Sequence, residues 1–165
     1  MSEERSAAGG GLHTEHASSD VSPGMLLWRV THRWQAAQRA TLKPFGLTHV
    51  QFVLLASLTY LDADPPAVTQ KVLADHAATD EMMTSQVLRA LEAKGWVERA
   101  RHPGDGRAWL VRATPSGQDL ANRAVVAVEA CDRAFFGVVQ DRLGGLTASL
   151  RLLSVADGSG LLDNK

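Results

Sequence analysis

Thr84, Ser85, Gln86 and Arg89 lie within one helical turn and a half, and all four are of types that read nucleic acid. An arginine pairs with guanine, a glutamine with adenine, and a hydroxyl bonds a base or a phosphate. They are the side chains left outward when the apolar stripe Met83, Val87, Leu88 and Leu91 of residues 80–94 turns inward. Any solvated helix carries Ser, Gln and Arg, so the quartet decides nothing alone. A second set is aromatic and titratable. Trp28, His32 and Trp34, with His49 further on, are a cluster of types suited to an anionic aromatic ring. Core packing is the simpler reading of tryptophans at helical spacing.

Charge bears on the first set. Residues 86–112 hold six basic side chains (Arg89, Lys94, Arg99, Arg101, Arg107, Arg112) against Glu92, Glu98 and Asp105, an excess of +3. The whole chain of 165 residues has 17 basic and 18 acidic residues, a net charge of −1. Phosphate binding needs the local excess, not the global one.

Other chemistries find little support. Cys131 is the one cysteine, which excludes an intramolecular disulfide and a four-thiolate zinc site. It falls within a stretch expected to be buried, where a thiol behaves as a small hydrophobe. His13 and His16 are two ligands in a polar segment, a poor metal site, and neither metal nor cofactor is expected. There is no glycine-rich phosphate loop, nucleophile elbow or HExxH motif, and Asp75-His76 reads as a surface pair, so no enzyme is expected. The apolar runs fall far short of the roughly 20 residues a membrane helix needs. No apolar leader is evident, and a cytoplasmic setting is the expectation.

The elements that position these residues follow from local signals. Ser22-Pro23 suits a helix cap and first turn, and the helix stops by Lys43 before Pro44. Thr48 and Gln51 form a capping box, with Leu47 and Phe52 as its hydrophobic staple, and that helix ends before Asp62. A short helix begins at Val68-Thr69, and another covers 80–94 with Gly95 just past its end. Residues 96–101 and 108–113 are strands around the turn His102–Gly106. Thr114-Pro115 restarts helix, Gly144-Gly145 breaks it, and a last helix runs from Leu146. The expected divisions are a tail 1–21, a first helix and connection 22–47, a winged helix-turn-helix 48–113, C-terminal helices 114–156 and a tail 157–165.

The run from Leu88 to Gly117 resembles the MarR family of bacterial transcriptional regulators. It carries Leu91-Glu92-Ala93-Lys94-Gly95, Val97-Glu98-Arg99, Asp105-Gly106-Arg107 and Thr114-Pro115-Ser116-Gly117. The family often has Asp-Arg-Arg at the third motif, so Gly106 removes one charge. The resemblance implies a mainly α fold, a winged helix-turn-helix whose N- and C-terminal helices build a dimer. Arg107 would be the wing arginine entering the minor groove, oriented by an ion pair with Asp105. It further implies a homodimer on double-stranded, pseudo-palindromic DNA, acting as a repressor released by a small aromatic or phenolic effector. Peroxide-sensing relatives use a first-helix cysteine, absent here. Apolar residues on several faces of 120–139, Leu120, Val125, Phe135 and Val139 among them, independently suggest a partner chain. A winged helix that binds a protein instead of DNA is the alternative.

Overall fold

A computed structural model describes residues 13–61 and 68–155. Each early helix begins where a side chain takes an amide hydrogen that the first turn leaves over. Ser22 accepts from the Met25 amide at 3.4 Å and opens α1 (Pro23–Leu42). A 3₁₀ turn, Lys43–Phe45, follows, and Gly46 reverses the chain at φ 67°. The Thr48 amide donates to Gln51 Oε1 at 3.1 Å while the Gln51 amide donates to Thr48 Oγ1 at 3.2 Å. This reciprocal box starts α2 (His49–Leu61), and the flanking Leu47 and Phe52 are both buried. Residues 13–21, expected as tail, fold back on α1: the Arg29 guanidinium bonds the Asp20 carboxylate and Ser19 Oγ. The rest of that tail and all of 157–165 lie outside the described residues.

Val68-Thr69 does not begin a helix as the sequence suggested. It forms β1 (Val68–Thr69), antiparallel to the later strand, with Val68 opposite Val111 and Thr69 opposite Leu110. Thr69 then caps α3 (Gln70–Ala77), accepting from the Val72 amide at 3.2 Å. After α4 (Glu81–Ala93) come β2 (Val97–Arg101) and β3 (Trp109–Ala113), paired from Val97–Ala113 to Arg101–Trp109. The hairpin is therefore two thirds of a sheet ordered β1-β3-β2. The chain ends its described course with α5 (Pro115–Phe136), a 3₁₀ stretch Gly137–Arg142, and α6 (Leu143–Val155). The last break also differs from expectation. It falls at Gly137–Arg142, where Val139 leaves helical geometry (φ −122°, ψ 24°), and Gly144-Gly145 sits in the first turn of α6. A glycine costs a helix interior about 1 kcal/mol against alanine, and a first turn, with its amides unpaired anyway, bears less of that cost.

By internal packing the chain forms two units, Met1–Val128 and Glu129–Lys165. In the first, Leu42, Leu54, Leu55, Leu58, Leu73, Leu88 and Leu91 from four helices are fully buried. Each contributes roughly 1.5–3 kcal/mol relative to exposure. Val97, Val111 and Ala113 seat the hairpin on this core, and Leu120, Ala121 and Ala124 seat the start of α5. In the second unit, Cys131 is half-buried, more accessible than expected, and α6 buries none of its residues.

The start of the hairpin and the first turn of α5 approach closely, backbone to backbone, at Gly117. A Cβ on Gly117 would stand 2.0 Å from the Trp96 carbonyl oxygen, which also accepts from the Thr114 amide at 3.0 Å. Gly117→Ala should therefore lower the unfolding free energy by about 2–3 kcal/mol. Gly106→Ala, where a Cβ meets nothing within 4 Å, should stay within about 0.5 kcal/mol of the parent. Urea denaturation of both variants checks this, and a Gly117→Ala midpoint equal to the parent's would refute it.

Candidate nucleic-acid interface

The α3–α4 corner is built without glycine. Ala78 takes the left-handed region (φ 51°) to end α3, a conformation costing a residue with a Cβ on the order of 1 kcal/mol. Asp80 then caps α4, accepting from the Met83 amide at 2.8 Å. Thr84, expected on the outer face, is fully buried. Its hydroxyl lies 2.8 Å from the Asp80 carbonyl and 2.7 Å from Thr79 Oγ1. The reason is periodicity: Thr84 precedes Leu88 by four residues and Leu91 by seven, which places it on the apolar stripe itself. It holds the corner and is removed from the base-reading set.

The outward arc of α4 carries Met82, Ser85, Gln86 and Arg89. Gln86 and Arg89 are exposed and Ser85 is half-buried. The Arg89 guanidinium donates to Ser85 Oγ at 3.1 Å, which preorganises both. Met82 was not among the sequence candidates, although it precedes Gln86 by four residues and Arg89 by seven. A search for polar readers passes over an apolar one.

The wing tip is shaped through its backbone. Asp105 Oδ1 accepts from the Arg107 amide at 3.0 Å, and the Asp105 carbonyl accepts from the Ala108 amide at 3.0 Å. His102 Nδ1 accepts from the Gly104 and Asp105 amides at 3.0 and 3.1 Å. The Arg101 guanidinium donates to the Gly106 carbonyl at 2.9 Å. The expected Asp105–Arg107 ion pair is not formed: Asp105 turns the chain, as short acidic side chains do in loops, and leaves the Arg107 side chain exposed.

Pairing divides the basic residues. The Arg99 side chain, 7% exposed, lies 3.7 Å from Glu92 Oε2 with its guanidinium 4.5 Å from the Trp109 ring centroid. Arg112 bonds Glu98 Oε2 through Nε at 2.8 Å and an Nη at 2.7 Å. Lys94 donates to the Gly46 carbonyl at 3.0 Å. Arg89, Lys94, Arg101 and Arg107 remain as exposed cations of α4, its C-cap and the hairpin without a carboxylate partner among the described residues.

The aromatic candidates form two pairs. Trp28 and His32 sit with ring centroids 3.9 Å apart, and Trp34 meets His49 edge-on at 5.0 Å. Six residues separate the tryptophans, about 120° apart around a helix by the shorter way, so the two pairs sit on different sides of α1. Trp28 is 62% exposed, so the core reading fails for it within this chain. A cavity of about 670 Å³ beside the end of α4, lined by Glu92, Val97, Arg99, Arg112 and Thr114 among others, includes none of the four.

Helix-turn-helix, three-stranded sheet and cationic tip define a winged-helix protein. Residues 47–109 match the family model described as MarR family. The chain is 41% identical over 141 residues to the uncharacterized HTH-type transcriptional regulator YdcH of Bacillus subtilis, covering 86% of this chain and 96% of that one. Among solved structures it is similar to Bordetella bronchiseptica BpsR, a structure concerned with regulation of DNA binding by 6-hydroxynicotinic acid. That match has TM-score 0.76 and 27% identity, and covers 89% of this chain and 100% of BpsR. A mutant MarR from E.coli complexed with operator DNA matches with TM-score 0.70 and 25% identity, over 79% of this chain and 91% of that one. The chain belongs to the MarR family of transcriptional regulators, which is not a class of enzymes. Among the described residues no single helix is long and apolar enough to cross a membrane.

Proposed function

We propose that the chain is a homodimeric repressor that lays α4 in the major groove of a pseudo-palindromic operator and is released by a small aromatic effector. The observation that carries this is the outward arc of α4, where Gln86 and Arg89 are exposed and Ser85 is half-buried, together with the exposed Arg107 at the tip of the wing. The N-terminal part of a recognition helix meets base edges, and a narrow minor groove concentrates the negative potential that draws in an arginine. Asp105 serves by fixing the loop that presents Arg107. Bound across a promoter, such a protein excludes polymerase, which makes repression its default action.

Exposed apolar side chains support the dimer. Leu27 and Val30 of α1, and Leu152, Leu153 and Val155 of α6, are each 46% to 74% exposed. A second copy would cover them, setting half-sites about one DNA turn apart. Sedimentation at micromolar concentration should give twice the chain mass of 17.7 kDa, and Leu152→Asp with Leu153→Asp should give the monomer; a monomeric parent refutes the arrangement.

For the effector, the exposed Trp28–His32 pair offers an aromatic face beside a titratable ring, suited to a hydroxylated aromatic acid. Trp34 and His49 are the second candidate pair. With 6-hydroxynicotinic acid as probe, Trp28→Ala should lose effector-driven release while keeping operator affinity. Unchanged release would remove Trp28 from the site.

The central test is fluorescence anisotropy with a duplex selected by the protein from a randomised pool, at two salt concentrations. Binding should fall steeply with salt. Gln86→Ala and Arg89→Ala should each reduce preference over random duplex by about 1–3 kcal/mol per lost base contact. Arg107→Ala should weaken both duplexes alike, and Thr84→Val, altering an inward group, should leave preference unchanged. Equal losses on both duplexes for Gln86→Ala and Arg89→Ala would sink the base-reading assignment. Absence of salt-dependent binding would favour a winged helix with a protein partner.

A further inference from the structure

We infer that Met82 is a specificity-determining residue that reads the C5-methyl group of a thymine, an inference that rests on the major-groove reading of α4. Met82 is 83% exposed in the first turn of α4, while the neighbouring Met83 is half-buried. At about 100° per residue, Met82 lies near the centre of an arc of roughly 100° that also holds Ser85, Gln86 and Arg89. It is diametrically opposite the buried Leu91. Nothing in the packing of the first unit uses it, and burial of its thioether would be favourable.

The setting says what covers it. Met82 is the one large exposed apolar side chain of α4, sharing its outward arc with Ser85, Gln86 and Arg89, and a lone methionine on that arc is far smaller than the patch a protein partner needs. The adjacent Glu81 carboxylate, which would repel DNA, is drawn aside to Lys71 Nζ at 3.6 Å. The corner behind is fixed by Thr84 and by the Asp80 cap, so the side chain projects from a firm base. In the major groove the apolar mark that distinguishes one base pair from the others is the thymine methyl. An unbranched, polarizable methionine adapts its shape to such a contact. Along the helix axis Met82 is about 6 Å from Gln86, close to two base-pair steps of 3.4 Å. The thymine therefore lies within about three base pairs of the position Gln86 reads.

The test replaces thymine by deoxyuridine, which removes the methyl and nothing else. The wild-type protein first selects its tightest duplex from a randomised pool, and each thymine of that duplex is then substituted in turn. One substitution per half-site should weaken wild-type binding about fourfold, the equivalent of about 0.8 kcal/mol for one buried carbon. Met82→Ala, at a position without packing partners, should bind both versions equally, and Met82→Leu should keep the discrimination. Sequence-specific binding that is indifferent to every thymine methyl, or a Met82→Ala variant as sensitive as the parent, overturns the role of Met82 and leaves the operator-binding function standing. Failure to enrich any duplex overturns that function and the inference with it.

Discussion

One carbonyl group organises the working half of the molecule. Trp96 follows the Gly95 turn that ends α4, where the Gly95 and Trp96 amides donate to the Glu92 and Leu91 carbonyls at 2.9 and 3.0 Å, the doubly bonded ending that left-handed glycine permits. The Trp96 oxygen then receives the Thr114 amide and packs against Gly117. Thr114 Oγ1 returns a bond to the Gly95 carbonyl at 2.8 Å, and Ser116 Oγ adds another at 3.2 Å. The end of α4, both ends of the hairpin and the start of α5 thus meet within a few residues. The angle between α4 and the hairpin is set there, because neither element can turn without breaking several of these bonds at once.

The charges on the same half are sorted by what they touch. Arg99 and Arg112 face carboxylates, and Arg99 is also pressed against Trp109, where a partly dehydrated cation gains from the ring. These fix the hairpin to α4 and to itself. Arg101 also stands over the Trp109 ring, at 4.2 Å, and braces the tip through Gly106. A net positive count over residues 86–112 therefore overstates what is available to a phosphate, and it is the arrangement that leaves Arg89 and Arg107 outward.

Legibility in the sequence followed the range of the interaction. The capping box at Thr48 and Gln51, the Ser22-Pro23 start and the Gly95 ending depend on residues within four or five positions of one another, and each is where the sequence put it. β1 escaped notice because two residues have no periodicity, and their partners, Val111 and Leu110, lie more than forty positions away. The break at Gly137–Arg142 was hidden by a glycine pair that looked stronger but falls where a helix tolerates it. Gln86 and Arg89 are expected outward from type and spacing, and Arg107 at the wing tip from the family resemblance, and all three side chains are exposed. At Thr84 period overrides chemistry: a hydroxyl, by type an outward group, is buried because its position falls on the apolar stripe. Asp105 was expected to hold a side chain and instead holds an amide. The four aromatic and titratable candidates, read as one set, separate into the pairs Trp28–His32 and Trp34–His49, because a linear spacing does not say which side of the helix each ring takes.

The Lys94–Gly46 hydrogen bond has a mechanical meaning. Lys94 closes the C-terminal end of α4, and Gly46 closes the turn that leaves α1. The recognition helix is thus pinned at one end to the segment leading out of the first helix, and Met82 rides at the other end about 18 Å away. With that lever arm, a tilt of about 3° at the pivot carries the tip by about 1 Å, a displacement comparable to the tolerance of a hydrogen bond to a base. A shift of the turn after α1 that tilted α4 about this bond would be felt furthest at its Met82 end.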